Sequence, residues 1–539
     1  MEEIGVDFAI STSYNKRKRE VSILKASARV RNKEKRTTGF IVDGNYVKYY
    51  DALHNINFID NLFATKDGVI KSKNKSLIEI NVDKTNKLIY KNCCKENPLI
   101  RDVQSELEEW RHRWSEYVLY LTGARQIGKT TELLKFAYKH YEQIIYVNLA
   151  NERQQKYFEE LVLSNSLQFG MINYCRQERL EEFENTSTTI LIIDEIQESS
   201  TVYNSIRALQ GELKCHVAVT GSYLGKTINS KYFKPAGNMK EIEMLPLSFS
   251  EFCRAFNKEK LLNSIDIYGN SDKEQYIEIT DLYKVYIKIG GYPAVVKEYL
   301  RSKDIGRCYE VIETIISRFT EESASYFEND KCYMVFENVY KAALMSIAKE
   351  KKGTASKDIQ EITDFVKDDT KEHVSRAEVN KVISWLKYSK ILGGCDLYNQ
   401  GNVNDLLNER RFYFMDCGIA SYVARTTPIN NNAVDGIIAE NFVYSELYRL
   451  YKTHCLKGNK PCCSIYNNYE LDFMLVDMKD KKYGIEVKAN RSDKTESLKI
   501  YKDRKFIDEA YVAEITKGGK GTDKNTIPIY TVGCRFPYK

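Results

Sequence analysis

The stretch that decides the fold is Gly123-Ala124-Arg125-Gln126-Ile127-Gly128-Lys129-Thr130. It satisfies the pattern G-x-x-x-x-G-K-[ST] in full, with the apolar run Tyr117–Thr122 before it and the amphipathic run Thr130–Tyr141 after it. Gly123 and Gly128 let the backbone turn sharply, so that successive amide N–H groups converge on phosphate oxygens. Lys129 is placed to reach β- and γ-phosphates and Thr130 to ligate Mg2+, while the N-terminus of the following helix adds positive potential. The expected phosphate-contacting span runs from Gly123 through Thr131.

Working outward, Gln143–Leu149, Thr188–Ile193 and His216–Val219 read as further strands alternating with helices. That alternation predicts a parallel sheet covered on both faces, hence an α/β fold. Ile190-Leu191-Ile192-Ile193-Asp194-Glu195 has the continuous apolar character of a central strand and ends in two acids. About 65 residues downstream of the loop, Asp194 is placed to hold Mg2+ through water, and Glu195 to polarise an attacking water. Val217–Val219 ends in Thr220-Gly221-Ser222, where Thr220 or Ser222 either senses the γ-phosphate or closes a turn. Arg254 and Arg318 are candidates for an arginine finger.

These residues resemble a prokaryotic family of AAA-type ATP-binding proteins in which an ATPase module precedes an uncharacterised C-terminal domain. The resemblance rests on Leu121–Thr131 (LTGARQIGKTT), Ile190–Glu198 (ILIIDEIQE) and Val219–Lys226 (VTGSYLGK), and is extended by Met244–Phe252 (MLPLSFSEF), Gly290–Pro293 (GGYP) and Tyr413–Gly418 (YFMDCG). It covers roughly Leu99 to Lys488. It implies ATP with Mg2+ as the ligand, and no N-K-x-D motif stands where a guanine-specific protein carries one.

The expected organisation is a strand-rich basic module over 1–95, a P-loop AAA-type domain over 96–255 and a helical lid over 256–330. A winged-helix-like region over 331–425 and a restriction-endonuclease-like α/β domain over 426–539 complete it. In the last, Asp472 on one strand and Glu486-x-Lys488 on the next look like a PD-(D/E)XK nuclease core. Residues two apart on a strand share a face, so Glu486 and Lys488 would act together. Asp472 and Glu486 could hold Mg2+ while Lys488 supports a nucleophilic water, with Glu440 or Glu446 as a further ligand. The alternative is a unit that binds DNA or a protein without cutting. Helices followed by a hairpin in 331–425 leave the same choice, DNA binding or packing.

Composition sets the outer bounds. Among 539 residues the net charge is +6, and residues 1–100 hold 19 Lys+Arg against 12 Asp+Glu, leaving 62 against 63 in the rest. The excess lies in Lys16–Arg19 and Arg29–Arg36, a basic surface for nucleic acid or simply a solvated face. No run is long and apolar enough to span a bilayer and the start has no secretory pattern, so a cytoplasmic location is expected. The 13 cysteines show no C-x-x-C spacing, which favours buried thiols over zinc or disulfides, including at Cys215-His216. The expected partners are therefore ATP, then DNA or another protein; oligomer formation stays open.

Overall fold

The computed structural model describes five short strands between residues 13 and 48, and residues 99–536 apart from 179, 223–230, 234–238, 271–272, 325–331, 349–361, 367–373, 399–408, 430, 454, 490–494 and 516. In the N-terminal module, Thr37–Val42 and Asn45–Lys48 pair as an antiparallel hairpin with Val42 opposite Asn45. The expected strand Leu77–Tyr90 and the side chains of both basic runs lie outside the described residues.

The P-loop region is built on five parallel strands: β1 (Val118–Thr122), β2 (Gln143–Asn148), β3 (Thr189–Asp194), β4 (His216–Thr220) and β5 (Met239–Glu243), in the order β5-β1-β4-β3-β2. Every residue of β1 and β3 is buried, as a strand covered on both faces requires. Helices α1 (Val103–Arg113), α2 (Lys129–His140), α3 (Glu152–Val162) and α4 (Leu167–Gln177) supply that cover. Four strands match the sequence reading; β5 does not, because Met-Lys-Glu-Ile-Glu buries only Ile242 and sits at the sheet edge.

Next come α5 (Phe249–Ala255), α6 (Lys273–Ile289), α7 (Pro293–Ser302), α8 (Ile305–Ala324), α9 (Cys332–Ala348) and α10 (Arg376–Tyr388). The described residues of 256–324 are mostly helical, and one apolar cluster runs without a break from Leu99, Leu121 and Ile190 through Tyr283, Val295 and Phe319 to Tyr530 and Phe536. Helices α6, α7 and α8 are thus part of a shared core.

The second sheet has seven strands: β6 (Leu392–Leu397), β7 (Glu409–Phe414), β8 (Cys462–Tyr466), β9 (Tyr469–Val476), β10 (Lys482–Lys488), β11 (Glu509–Glu514) and β12 (Asn525–Pro528), in the order β7-β6-β8-β9-β10-β11-β12. β6 and β7 form the expected hairpin, and β6 also pairs in parallel with β8, so the hairpin is an edge of this sheet and not a separate wing. Helices α11 (Cys417–Thr426) and α12 (Asn431–Lys452) lead into β8, and α13 (Glu496–Asp503) connects β10 to β11. The run α12-β8-β9-β10-α13-β11, with β9 antiparallel to both neighbours and β10 parallel to β11, is a mixed α/β sheet. No helix among the described residues is long and apolar enough to cross a membrane.

Candidate functional site

The loop between β1 and α2 is held open by its glycines and anchored by its apolar residues. Gly123 has φ 139° and Gly128 φ 95°, a backbone region that side chains disfavour. A Cβ at 123 would also lie 2.2 Å from the Met244 carbonyl oxygen. Ala124 and Ile127 are buried beneath the loop, Arg125 and Thr131 are half-buried, and Gln126 is exposed with φ 63°. The Lys129 ammonium donates to the carbonyls of Gly123 (3.0 Å) and Ala124 (2.7 Å). Burial pushes this lysine down to about 8, against the pull of Glu195 and Asp194; Arg125 adds to the depression.

The acids at the end of β3 close on this loop. Thr130 Oγ1 donates to Asp194 Oδ2 at 2.8 Å, and the Tyr146 hydroxyl donates to the same oxygen at 2.8 Å. Burial, then the Glu195 charge, raise the Asp194 carboxyl above its ordinary range, opposed by those hydrogen bonds. Glu195 has φ 53°, a left-handed conformation that a non-glycine residue keeps only when its surroundings hold it. Here they do: Gln197 Nε2 donates to Glu195 Oε2 at 2.6 Å, and Ser222 Oγ to Oε1 at 3.2 Å. Gly221 leaves room for Gln197, whose Oε1 would lie 2.2 Å from a Cβ there.

Thr220 and Ser222 are placed differently. Thr220 Oγ1 is fully buried and donates to the Leu121 carbonyl at 2.9 Å, tying β4 to β1, whereas Ser222 contacts the acid. Of the finger candidates, Arg254 is bound to Asp102 (2.7 Å), Glu259 (2.5 Å) and the Ile100 carbonyl (3.1 Å), so it staples α5 to the start of α1. Arg318 is exposed on α8. His216 hydrogen-bonds the Tyr141 hydroxyl at 2.7 Å, and Cys215 is buried as a free thiol.

Sequence reading missed the residue that ties the loop to the rest of the chain. Arg101, 5% exposed, donates to the Ile127 carbonyl of the P-loop (3.1 Å), to the Leu245 carbonyl, and to Glu251 Oε1 (3.0 Å). Glu251 completes the capping box of α5 with Ser248, and although burial raises its carboxyl, Arg101 and Arg449 bring it below the ordinary range. Arg449 on α12 donates to the Pro246 carbonyl (2.6 Å) and pairs with Glu446, which accepts from Phe249 N at 3.4 Å. Beside it, Leu247 N donates to the Gly291 carbonyl (2.8 Å) and Gly291 N to Asp416 Oδ2 (2.6 Å). A Cβ on Gly290 would lie 2.2 Å from Asp416 Oδ1, so the M-L-P-L, G-G-Y-P and M-D-C-G segments meet at one buried junction. Arg101 gives no local signal, because its acceptors lie 26 to 150 residues away.

The candidate second site is also assembled, with a residue the sequence reading did not include. Glu440 on α12 and Asp472 on β9 face Arg411 of β7, while Glu486 and Lys488 on β10 pair with each other. Arg411 is ion-paired to Glu440 Oε1 through Nη1 and to Glu470 Oε1 through Nη2 (2.6 Å), with Asp472 Oδ1 3.9 Å away. Tyr413 donates to Glu440 Oε1 (2.6 Å), Val487 N to Asp472 Oδ2 (2.8 Å), and Lys488 Nζ to Glu486 Oε1 (2.7 Å). Glu446, the alternative to Glu440, belongs to the Arg449 junction instead. Among the described residues no group of three or more His, Cys, Asp or Glu side chains is arranged to hold a metal ion.

With this geometry in hand, comparison with known proteins is informative for the first site. The family model of an AAA domain matches residues 115–253. Two domains of unknown function, DUF8612 and DUF4143, match residues 280–430 and 435–531. An uncharacterised protein of Haemophilus influenzae is 25% identical over 190 residues, 34% of this chain and 41% of that protein, so the chain spans about two fifths of its curated relative. Among solved structures, a Walker-type ATPase of Pyrococcus abyssi is 15% identical with TM-score 0.39, covering 60% of this chain and 96% of its own. The Aeropyrum pernix ORC1 protein, solved in complex with DNA, is 14% identical with TM-score 0.27, covering 65% and 96%. Phosphate loop, paired acids and family match together make residues 115–253 of this chain a P-loop AAA-type module.

Proposed function

We propose that the chain is a Mg2+-dependent ATPase whose nucleotide state is passed to its C-terminal regions. The observation that carries hydrolysis is the placement of Glu195. Its carboxylate is fixed by Gln197 and Ser222 one residue beyond Asp194, which is itself bonded to Thr130. Glu195 can orient and deprotonate a water, and Ser222 can follow the charge on that carboxylate. The positive φ of Gly123, Gln126 and Gly128 suits a loop that turns its amides onto a triphosphate, and the Lys129 ammonium sits on two weakly competing carbonyls that a phosphate can replace. Thr130 and Asp194 would hold Mg2+, which when bound neutralises charge on the β- and γ-phosphate oxygens.

Coupling is supported by Arg101, which binds the P-loop at Ile127 and the segment Leu245–Glu251 that rests on α12. A shift of the loop on binding would be felt at α12 through buried, charge-assisted bonds. DNA or a protein at the C-terminal regions is the proposed recipient. The test is phosphate release by the full chain with and without DNA, alongside Glu195→Gln. Turnover by that variant at the wild-type rate would refute the assignment of the catalytic acid.

A further inference from the structure

Outside the nucleotide site, a further group of charged side chains gathers around Arg411. Three elements deliver carboxylates to one place: α12 brings Glu440, β9 brings Glu470 and Asp472, and β10 brings Glu486. The pairs 470/472, 486/488 and 411/413 each share a strand face, so β-pleating alone aims them together. Carboxylates collected in this way from separate elements need a cation, since unpaired buried charge is costly. Lys488 answers only part of the demand, being bonded to Glu486 Oε1, while Glu486 Oε2 is buried without a hydrogen-bond partner among the described residues.

Arg411 fills the middle of the group. It is 3% exposed, and its planar fork engages Glu440 and Glu470 at once, with Asp472 at the edge of ion-pair range. Tyr413, two residues on and stacked on Tyr444 with ring centroids 4.3 Å apart, fixes Glu440 from the same strand. We propose that Arg411 is the resident cation of this cluster, occupying the position a divalent ion would take between Glu440, Glu470 and Asp472. A guanidinium keeps its charge at every accessible pH and is tethered to β7, so the cluster is closed to metal unless that side chain leaves. Removing it unmasks a latent divalent-cation site.

The experiment is Mn2+ uptake by the nucleotide-free full chain, so it does not depend on the reading of the P-loop. Wild type is expected to take up none at this cluster, Arg411→Gln about one equivalent with raised melting temperature, and Arg411→Gln/Asp472→Asn none. Wild-type uptake that Asp472→Asn removes would overturn the proposal, as would a folded Arg411→Gln that takes up none. If Arg411→Gln does not fold in chelator, Mn2+ must restore its folding while failing to restore Arg411→Gln/Asp472→Asn; no rescue also overturns it.

Discussion

The two charged sites use the same ingredients, carboxylates at or near strand ends and a buried cation, but differ in what the cation is bound to. Lys129 rests on the carbonyls of Gly123 and Ala124, neutral acceptors whose bonds a phosphate can replace at small cost. Arg411 rests on Glu440 and Glu470, half-buried charged acceptors, so its release would leave carboxylates without a counter-ion. One site is therefore built to exchange partners and the other is built closed. Identical residue classes give opposite chemistry because the first cation faces backbone and the second faces charge.

The largest expected effect tests the exchanging site. Glu195→Gln should lower ATP turnover by about 100- to 10,000-fold while leaving nucleotide binding intact, measured as phosphate release beside a binding titration. Lys129→Ala should abolish binding itself, and normal hydrolysis by that variant would end the comparison. For the closed site, Arg411→Ala should cost about 3–5 kcal/mol of stability in metal-free buffer, read from denaturant unfolding. A change below about 1 kcal/mol would mean that Arg411 is a surface-like pair and not a sealed one.

A pH series sharpens the contrast. Burial, the main cause, lowers Lys129 to about 8, and an anionic ligand favours its charged form. Below pH 8 the ammonium is already present and ATP affinity should be flat. Above it, binding must take up a proton, so affinity should fall by up to about tenfold per pH unit. A titration with a fluorescent ATP analogue at pH 7 and 9 reads this directly, and Lys129→Arg should lose the dependence if it binds. The smallest effect separates neighbours: Ser222→Ala should slow turnover several-fold, whereas Thr220→Val should cost about 1 kcal/mol of stability with little change in rate. Equal effects on rate would return Thr220 to the site.

Much of the nucleotide site was legible because it is local. Gly123 to Thr131 is one loop and its helix, and Asp194-Glu195 ends one apolar strand, so residue type and spacing carry the geometry. Ser222 needed the structure, since only its bond to Glu195 distinguishes it from Thr220 two residues earlier. β5 escaped notice because an edge strand with three charged residues in five carries no apolar signature. In the C-terminal sheet, Asp472 and Glu486-x-Lys488 were readable as a pattern, but their meaning was not. The decisive residue, Arg411, comes from a strand 59 residues before Glu470 and looks from sequence like one more strand charge.

The sequence by itself determined the P-loop, the strand that carries Asp194 and Glu195, and the α/β class, because period, glycine placement and spacing are properties of contiguous chain. The tertiary structure decided what those parts are joined to. Arg101 linking the loop to Glu251, Asp416 fitting against Gly290, and Arg411 standing among Glu440, Glu470 and Asp472 are contacts across distant segments. Their partners are chosen by packing of two sheets around a shared core, and no local pattern encodes which buried charge will meet which.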